Sequence, residues 1–295
     1  MKNATILNRG FLKVENSTNE EKINHFYNEA TVDYEFWSKD LNMHFGYYIP
    51  FKTNFLKRDT MLNAMNSYLF SLLKIENKKA HVVDLGCGMG ATMSYGIKKY
   101  PKLAVTGCTI SSFQVEYGNQ FLNSDRATIL KKDYTDTKLS SNHFDGALAI
   151  ESFCHSGCSK EALAESYRIL KPNSILTIAD AFCKKDTKNL NFISKKVHQE
   201  LCDSWSLKSL GNIKKVKKEL EEVGFREIRF KNIWYRVAPS VFHAPFTIME
   251  FVFKKLIKNE PLKRESIKNL KGSFYALLTG LLLKDFGYYV ITAKK

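Results

Sequence analysis

The sequence predicts an α/β protein built on a mostly parallel sheet, and three observations predict it. Between about residues 60 and 180, stretches of helical period alternate with short apolar runs of strand length, the pattern of parallel βαβ units. The first apolar run passes straight into closely spaced glycines. Two segments rich in aromatic and aliphatic residues stand outside the alternation, one at the N-terminus and one between the last two expected strands, where a plain sheet needs only a tight hairpin.

Taken in order, Met61, Leu62, Met65, Tyr68, Leu69, Leu72 and Leu73 recur at three and four residues and mark an amphipathic helix. It leads into a buried strand, His81 to Leu85, closed by the glycine loop. Further strands are expected at Ala104 to Cys108, Thr128 to Leu130, Phe144 to Ile150 and Ser174 to Ala179, with helices between them. One helix starts at Ser159 as N-cap and runs to Lys171-Pro172-Asn173, where proline and asparagine stop it. Another carries Val216, Leu220 and Val223 on one face and ends at Gly224, ahead of strands at Glu227 to Trp234 and Tyr288 to Ala293. The result is a Rossmann-like, seven-stranded, mostly parallel sheet with helices on both faces. The expected organisation is an N-terminal helical cap (1–57), a core (58–235), a helical insertion (236–285) and the last core strand (286–295). The insertion reads either as a lid over a greasy pocket or as helices on the core's outer surface; both extensions reach one end of the sheet, which favours the lid.

The chain has 295 residues, 44% hydrophobic and 25% charged, a balance that excludes disorder, collagen-like repeats and a disulfide-framed miniprotein. Its net charge of +15 attracts anions, without choosing among metabolites, carriers, headgroups and nucleic acid. The six cysteines follow no framework and read as reduced thiols; Cys154, His155 and Cys158 match no zinc spacing, so no metal is expected. With no signal-peptide pattern at the start and no apolar run long enough to span a bilayer, a cytoplasmic protein is expected.

The strongest local signal is Val83-Asp84-Leu85-Gly86-Cys87-Gly88-Met89-Gly90-Ala91, a strand whose following backbone must approach a ligand closely. As spaced glycines it also satisfies the dinucleotide fingerprint, but the acid expected some twenty residues on to hold a ribose is missing, since that stretch reads Cys108-Thr109-Ile110-Ser111.

The loop resembles the first motif of class I S-adenosylmethionine-dependent methyltransferases. Thr109-Ile110-Ser111-Ser112-Phe113-Gln114 is similar to the segment that replaces the ribose acid in the cyclopropane fatty acid synthase and sterol C-methyltransferase branch. Lys132-Asp133-Tyr134 resembles the acidic motif beside the adenine, and Ile150-Glu151-Ser152-Phe153-Cys154-His155-Ser156 resembles a run of the sterol enzymes. Tyr27 to Tyr48 is similar to the aromatic segment that folds over cofactor and substrate, and Glu165 to Pro172 to the helix closing the core. The chain departs at Asn173-Ser174, where Gly-Gly is usual, and at Cys154, which replaces the bicarbonate-holding glutamate of cyclopropane synthases; cyclopropanation is therefore not expected.

The resemblance implies S-adenosyl-L-methionine as cofactor, with S-adenosyl-L-homocysteine as product, held by Tyr34, Asp84, Gly86, Cys87, Gly88, Thr109, Ile110, Gln114, Asp133, Tyr134 and Ile150. His155 is the first candidate base, because imidazole titrates near neutral pH, with Glu151 and His44 next. Tyr27, Phe45, Tyr47 and Phe153 are the candidate substrate residues. The expected acceptor is a largely apolar small molecule, an isoprenoid, sterol-like compound, polyketide or other secondary metabolite, methylated on carbon or oxygen. Alternatives are an RNA or protein methyltransferase, which the charge permits but no recognition motif supports, a dinucleotide-dependent oxidoreductase, and a cofactor-binding protein without transfer activity. Nucleic acid is not expected as a partner, and a homodimer stays open.

Overall fold

A computed structural model describes residues 37–295 except 258, 260, 262 and 263, so the candidates Tyr27 and Tyr34 lie outside the described residues. In chain order the elements are α1 (Arg58–Leu72), β1 (Ala80–Leu85), α2 (Ala91–Lys99), β2 (Leu103–Thr109), α3 (Ser112–Leu122), β3 (Ala127–Lys131), β4 (Phe144–Ile150), α4 (Lys160–Ile169) and β5 (Leu170–Cys183). Then follow α5 (Phe192–Trp205), β6 (Gly211–Asn212), α6 (Ile213–Val223), β7 (Arg226–Asn232), α7 (Trp234–Val241), α8 (Ala244–Ile257), α9 (Arg264–Leu281) and β8 (Phe286–Lys294).

The strands form one sheet in the order β3-β2-β1-β4-β5-β8-β7, with the two-residue β6 beside the end of β5. β1 to β5 are parallel, whereas β8 runs antiparallel to both β5 and β7. The chain winds outward from β1 to β3, then returns to place β4 on the other side of β1. A crevice opens where the order reverses, outside the carboxyl ends of β1 and β4.

Consecutive residues of β1 feed opposite layers, Val82 packing with Phe70 and Met93 and Val83 with Phe144 and Leu176, all of them almost fully buried. Each such side chain contributes on the order of 1.5–3 kcal/mol by leaving water. α4 starts as expected, with the Ser159 hydroxyl accepting from the Ala162 amide, and Gly224 ends α6 in a left-handed turn. α4 stops at Ile169, however, short of Pro172. Leu170 is already extended and registers with Phe144, and a residue preceding proline is itself pushed out of the helical region. β6 is too short to leave a period in the sequence.

Segment 37–57 and α7 to α9 gather over the carboxyl edge of the sheet. The Phe45 amide donates to Glu151 Oε1 (2.8 Å), the Gly46 amide to Ser240 Oγ (2.8 Å) and the Tyr48 amide to the Arg236 carbonyl (2.7 Å). Arg58 reaches from α1 to the Trp37 carbonyl and to Thr247 of α8. Among the described residues, no helix is long and apolar enough to cross a membrane.

Candidate active site

β1 delivers Asp84 and the glycine loop to the crevice. Gly86, Gly88 and Gly90 all have positive φ. At Gly86 a Cβ would also stand 2.3 Å from Ser152 Cβ, and at Gly88 2.9 Å from Met43 Sδ, so side chains there would close the space above the loop. Asp84 is buried and has no hydrogen-bond partner among the described residues; desolvation pushes its carboxyl up to about 7.

β2 delivers Thr109, whose hydroxyl donates to Gln114 Oε1 at 2.6 Å, while Ser111 caps α3 by accepting from the Gln114 amide. Asp133, exposed, accepts from the Thr135 amide and hydroxyl (2.8 Å each), and the Tyr134 hydroxyl donates to the Ser152 carbonyl at 2.9 Å. Asp84, Gly86, Cys87, Gly88, Thr109, Ile110, Gln114, Asp133, Tyr134 and Ile150 together line one cavity of about 350 Å³.

A second cavity of about 140 Å³ lies against it, walled by apolar residues of segment 37–45, α5, α7, α8 and α9 and floored by the ends of β4, β5 and β8. Met43, His44, Glu151 and His155 line both cavities. Glu151 follows β4 with a left-handed φ of 47°, which turns its side chain back between the two spaces. Its Oε1 accepts from the Phe45 amide and from the Tyr288 hydroxyl (2.7 Å). Burial lifts its carboxyl to about 8 despite those two donors, and the neighbouring Asp180 adds to the rise.

The structure reorders the candidate bases. Burial pushes the His155 imidazole down to about 4, so it is neutral but weakly basic, below the near-neutral titration that made it the first candidate. Its Nδ1 lies 3.4 Å from the Ser206 carbonyl. His44 Nδ1 donates to the Phe45 carbonyl (2.8 Å), and its Nε2 faces the side-chain oxygens of Asn42 and Asn66 (3.1 Å each). His44 is thus anchored to the 42–45 turn through Nδ1, and burial lowers its pKa.

Of the candidate substrate residues, only Phe45 among the described ones reaches the apolar cavity. Tyr47 instead stacks on Tyr68 with ring centroids 4.6 Å apart, and Phe153 is fully buried behind Tyr134 at 5.0 Å; both are core. Alternation explains the difference. Phe45 and Tyr47 are both aromatic, but the Gly46 amide bond to Ser240 and the Tyr47 amide bond to the Met61 carbonyl (2.8 Å) turn the second ring onto α1.

Sequence reading missed Asp180, Tyr288 and Trp234, all of which line the apolar cavity. Asp180 is buried, accepts from the amides of Ala181 (2.8 Å) and Cys154 (3.0 Å), and is pushed up to about 7 by burial. Its signal was present, since it is the one acid inside the apolar run Ile175 to Phe182. An ionisable residue in a buried strand end invites a functional reading. Nothing local marked Tyr288 or Trp234.

The strand reversal, the glycine loop at its crevice and the polar cavity leading into an apolar one define a ligand-binding site of an α/β protein. A protein-family model described as a methyltransferase domain matches residues 83–178. The O-methyltransferase rstn1 of Aspergillus nomiae is 30% identical over 156 residues, 52% of this chain and 67% of that protein. The 24-methylenesterol C-methyltransferase 3 of Arabidopsis thaliana is 26% identical over 214 residues, 70% of this chain; the chain spans 57% of that enzyme's length. In fold, the chain is similar to the cyclopropane synthase MmaA2 from Mycobacterium tuberculosis, with a TM-score of 0.78 at 15% identity over 95% of this chain and all of that one. The chain belongs to the S-adenosylmethionine-dependent methyltransferases. These relatives lend no support to an oxidoreductase, an RNA methyltransferase or a protein methyltransferase.

Proposed function

We propose that this enzyme transfers the methyl group of S-adenosylmethionine to a largely apolar small molecule of isoprenoid, sterol-like or polyketide type. The observation that carries the reading is the junction of the two cavities at Met43, His44, Glu151 and His155. One space is cradled by glycines and polar groups, and the other is greasy. When bound, the cofactor supplies a methyl group on a positively charged sulfur. Asp84, whose buried carboxyl lines the polar cavity, and the 86–90 loop would hold the amino-acid part; Thr109, Gln114 and Asp133 would hold the nucleoside.

This chain's residues then have three tasks. Trp37, Phe45 and Trp234 exclude water and align the acceptor, so that the displacement proceeds in a pre-organised, dry chamber. Glu151 and Asp180 put two buried acids beside those aromatic faces; in their ionised form, above about pH 7 to 8, they favour positive charge on the acceptor and oppose an oxyanion. Carbon of an electron-rich alkene is therefore the preferred acceptor over a phenolic oxygen. Glu151 takes the proton that the methylated carbon releases, since a base with a pKa of about 8 matches that work better than one of about 4. Asp180, held by two amides and raised to about 7 by burial, adds negative charge only as the pH rises through that value.

We place the enzyme in the cytoplasm, in keeping with six buried free thiols. Incubation with S-adenosylmethionine and a panel of prenyl alkenes, sterols and phenols, followed by mass spectrometry, tests the reading. A one-methyl gain on alkenes is expected. Gain on phenols alone would move the proposal to oxygen, and gain on none, with RNA or protein labelled instead, would overturn it.

A further inference from the structure

α8 is apolar on two opposite faces. Its inner face gives Thr247, Ile248 and Phe251 to the wall of the apolar cavity. On its outer face Phe246, Met249, Phe253 and Leu256 follow at steps of three, four and three residues, and each is about two thirds exposed. That stripe continues for roughly 15 Å along the helix. Four large side chains in one line are unlike the singly scattered apolar residues of an ordinary surface.

A second apolar group adjoins it. The turn after segment 37–50 holds out Phe51, Phe55 and Leu56, and Phe51 is fully exposed. Phe51 also has a φ of 61°, a left-handed conformation that costs a bulky residue energy and that asparagine or glycine would adopt more cheaply. His243 Nε2, in the bend between α7 and α8, donates to the Phe55 carbonyl at 2.6 Å, which fixes the turn beside the start of the stripe.

Charge decides between occupants. Lys52 and Lys57 flank the turn, and Lys254, Lys255 and Arg264 lie at the far end of α8 and the start of α9; the acid on the exposed part of α8 is Glu250, which pairs with Lys254 at 2.6 Å. A second copy of this chain would bring +15 against +15, whereas an anionic bilayer offers both an apolar interior and compensating headgroups. We propose that the outer face of α8 and the 51–56 turn form a docking surface for an anionic phospholipid membrane, into whose boundary Phe51 and the α8 stripe insert. The helix then lies in the interface plane, with its inner face still walling the cavity. The inference goes beyond methyl transfer, which stands or falls separately.

Flotation of the full chain with vesicles tests it, using phosphatidylcholine alone and phosphatidylcholine with about 30% phosphatidylserine. Wild type is expected to float with the anionic vesicles and to be released by about 0.5 M salt. The triple variant Phe51→Ser/Phe246→Ser/Phe253→Ser should lose at least about tenfold in vesicle affinity, and Phe51→Ser alone a smaller part of it. Titration with S-adenosylhomocysteine should give the same affinity for all three proteins, which shows that the variants are folded. No flotation of wild type, or equal flotation of the triple variant, would overturn the proposal. So would a wild-type dimer that dissociates in the triple variant without any vesicle binding, because the face would then be covered by a second copy.

Discussion

The proposed cofactor side and the proposed acceptor side of the chamber are built differently. On the cofactor side, each group stands within a few residues of a strand end, and its position follows from the strand, the turn and a local cap: Asp84 on β1, Thr109 on β2, Gln114 in the first turn of α3. On the acceptor side, shape depends on bonds between distant residues, such as Phe45 to Glu151 across 106 positions and Gly46 to Ser240 across 194. A local motif can therefore specify the first half, while the second exists only once the whole chain has folded. Glu151 belongs to both, being placed by β4 and bonded to the acceptor side.

Substitution at the shared residue should have the largest effect. Glu151→Gln is expected to lower kcat by about 10²–10⁴-fold, the usual contribution of a positioned base. In wild type the rate should rise with pH through an inflection near 8, as the raised carboxyl ionises, and the variant should lose that inflection. A wild-type profile flat from pH 5 to 9 would instead assign the proton to His155, which burial holds near 4.

Ser240→Ala should separate the halves. It leaves the buried Gly46 amide without an acceptor, at a cost of about 1–3 kcal/mol, so melting temperature falls and KM for the acceptor rises. Affinity for S-adenosylhomocysteine, read by calorimetry, should hardly move. Thr109→Val is the mirror experiment: losing one hydrogen bond, worth about 1 kcal/mol, should weaken that cofactor affinity about fivefold and leave the acceptor KM unchanged. If either variant changed both constants equally, the division would be wrong.

A separate effect is on stability against pH. Asp84, Asp180 and Glu151 are held at about 7, 7 and 8, above the ordinary carboxylate range. The folded chain thus keeps protons that the unfolded chain has released, so the stability is fully present at low pH and is lost as pH rises through the folded values. Melting should occur a few degrees lower at pH 8 than at pH 6. An increase would mean that these carboxyls are ionised in the folded protein.

Much of the sheet was legible because parallel strands buried on both faces leave compact apolar runs, and because Gly86 to Gly90 mark a backbone constraint in a few letters. The candidate cofactor residues Asp84, Thr109 and Gln114 stand at or near the ends of those strands, which is why they line one cavity. Tyr47 and Phe153 show where it ends: both sit in the right segments, but whether an aromatic ring faces a cavity or the core depends on partners such as Tyr68 and Tyr134. His155 lies at the junction of the two cavities, but its ordinary pKa says nothing of the burial that lowers it. Asp180 was readable as an acid in an apolar strand, whereas Tyr288 became a site residue only through its bond to Glu151.

The most direct test of the account is calorimetric titration with S-adenosylhomocysteine and, in parallel, with NADH, comparing wild type with Gly88→Val. The account predicts binding of the sulfur compound alone, abolished by valine at Gly88, whose φ of 54° a β-branched residue rarely adopts and whose side chain would enter the polar cavity. Binding of NADH in its place, or undiminished binding by Gly88→Val, would contradict it.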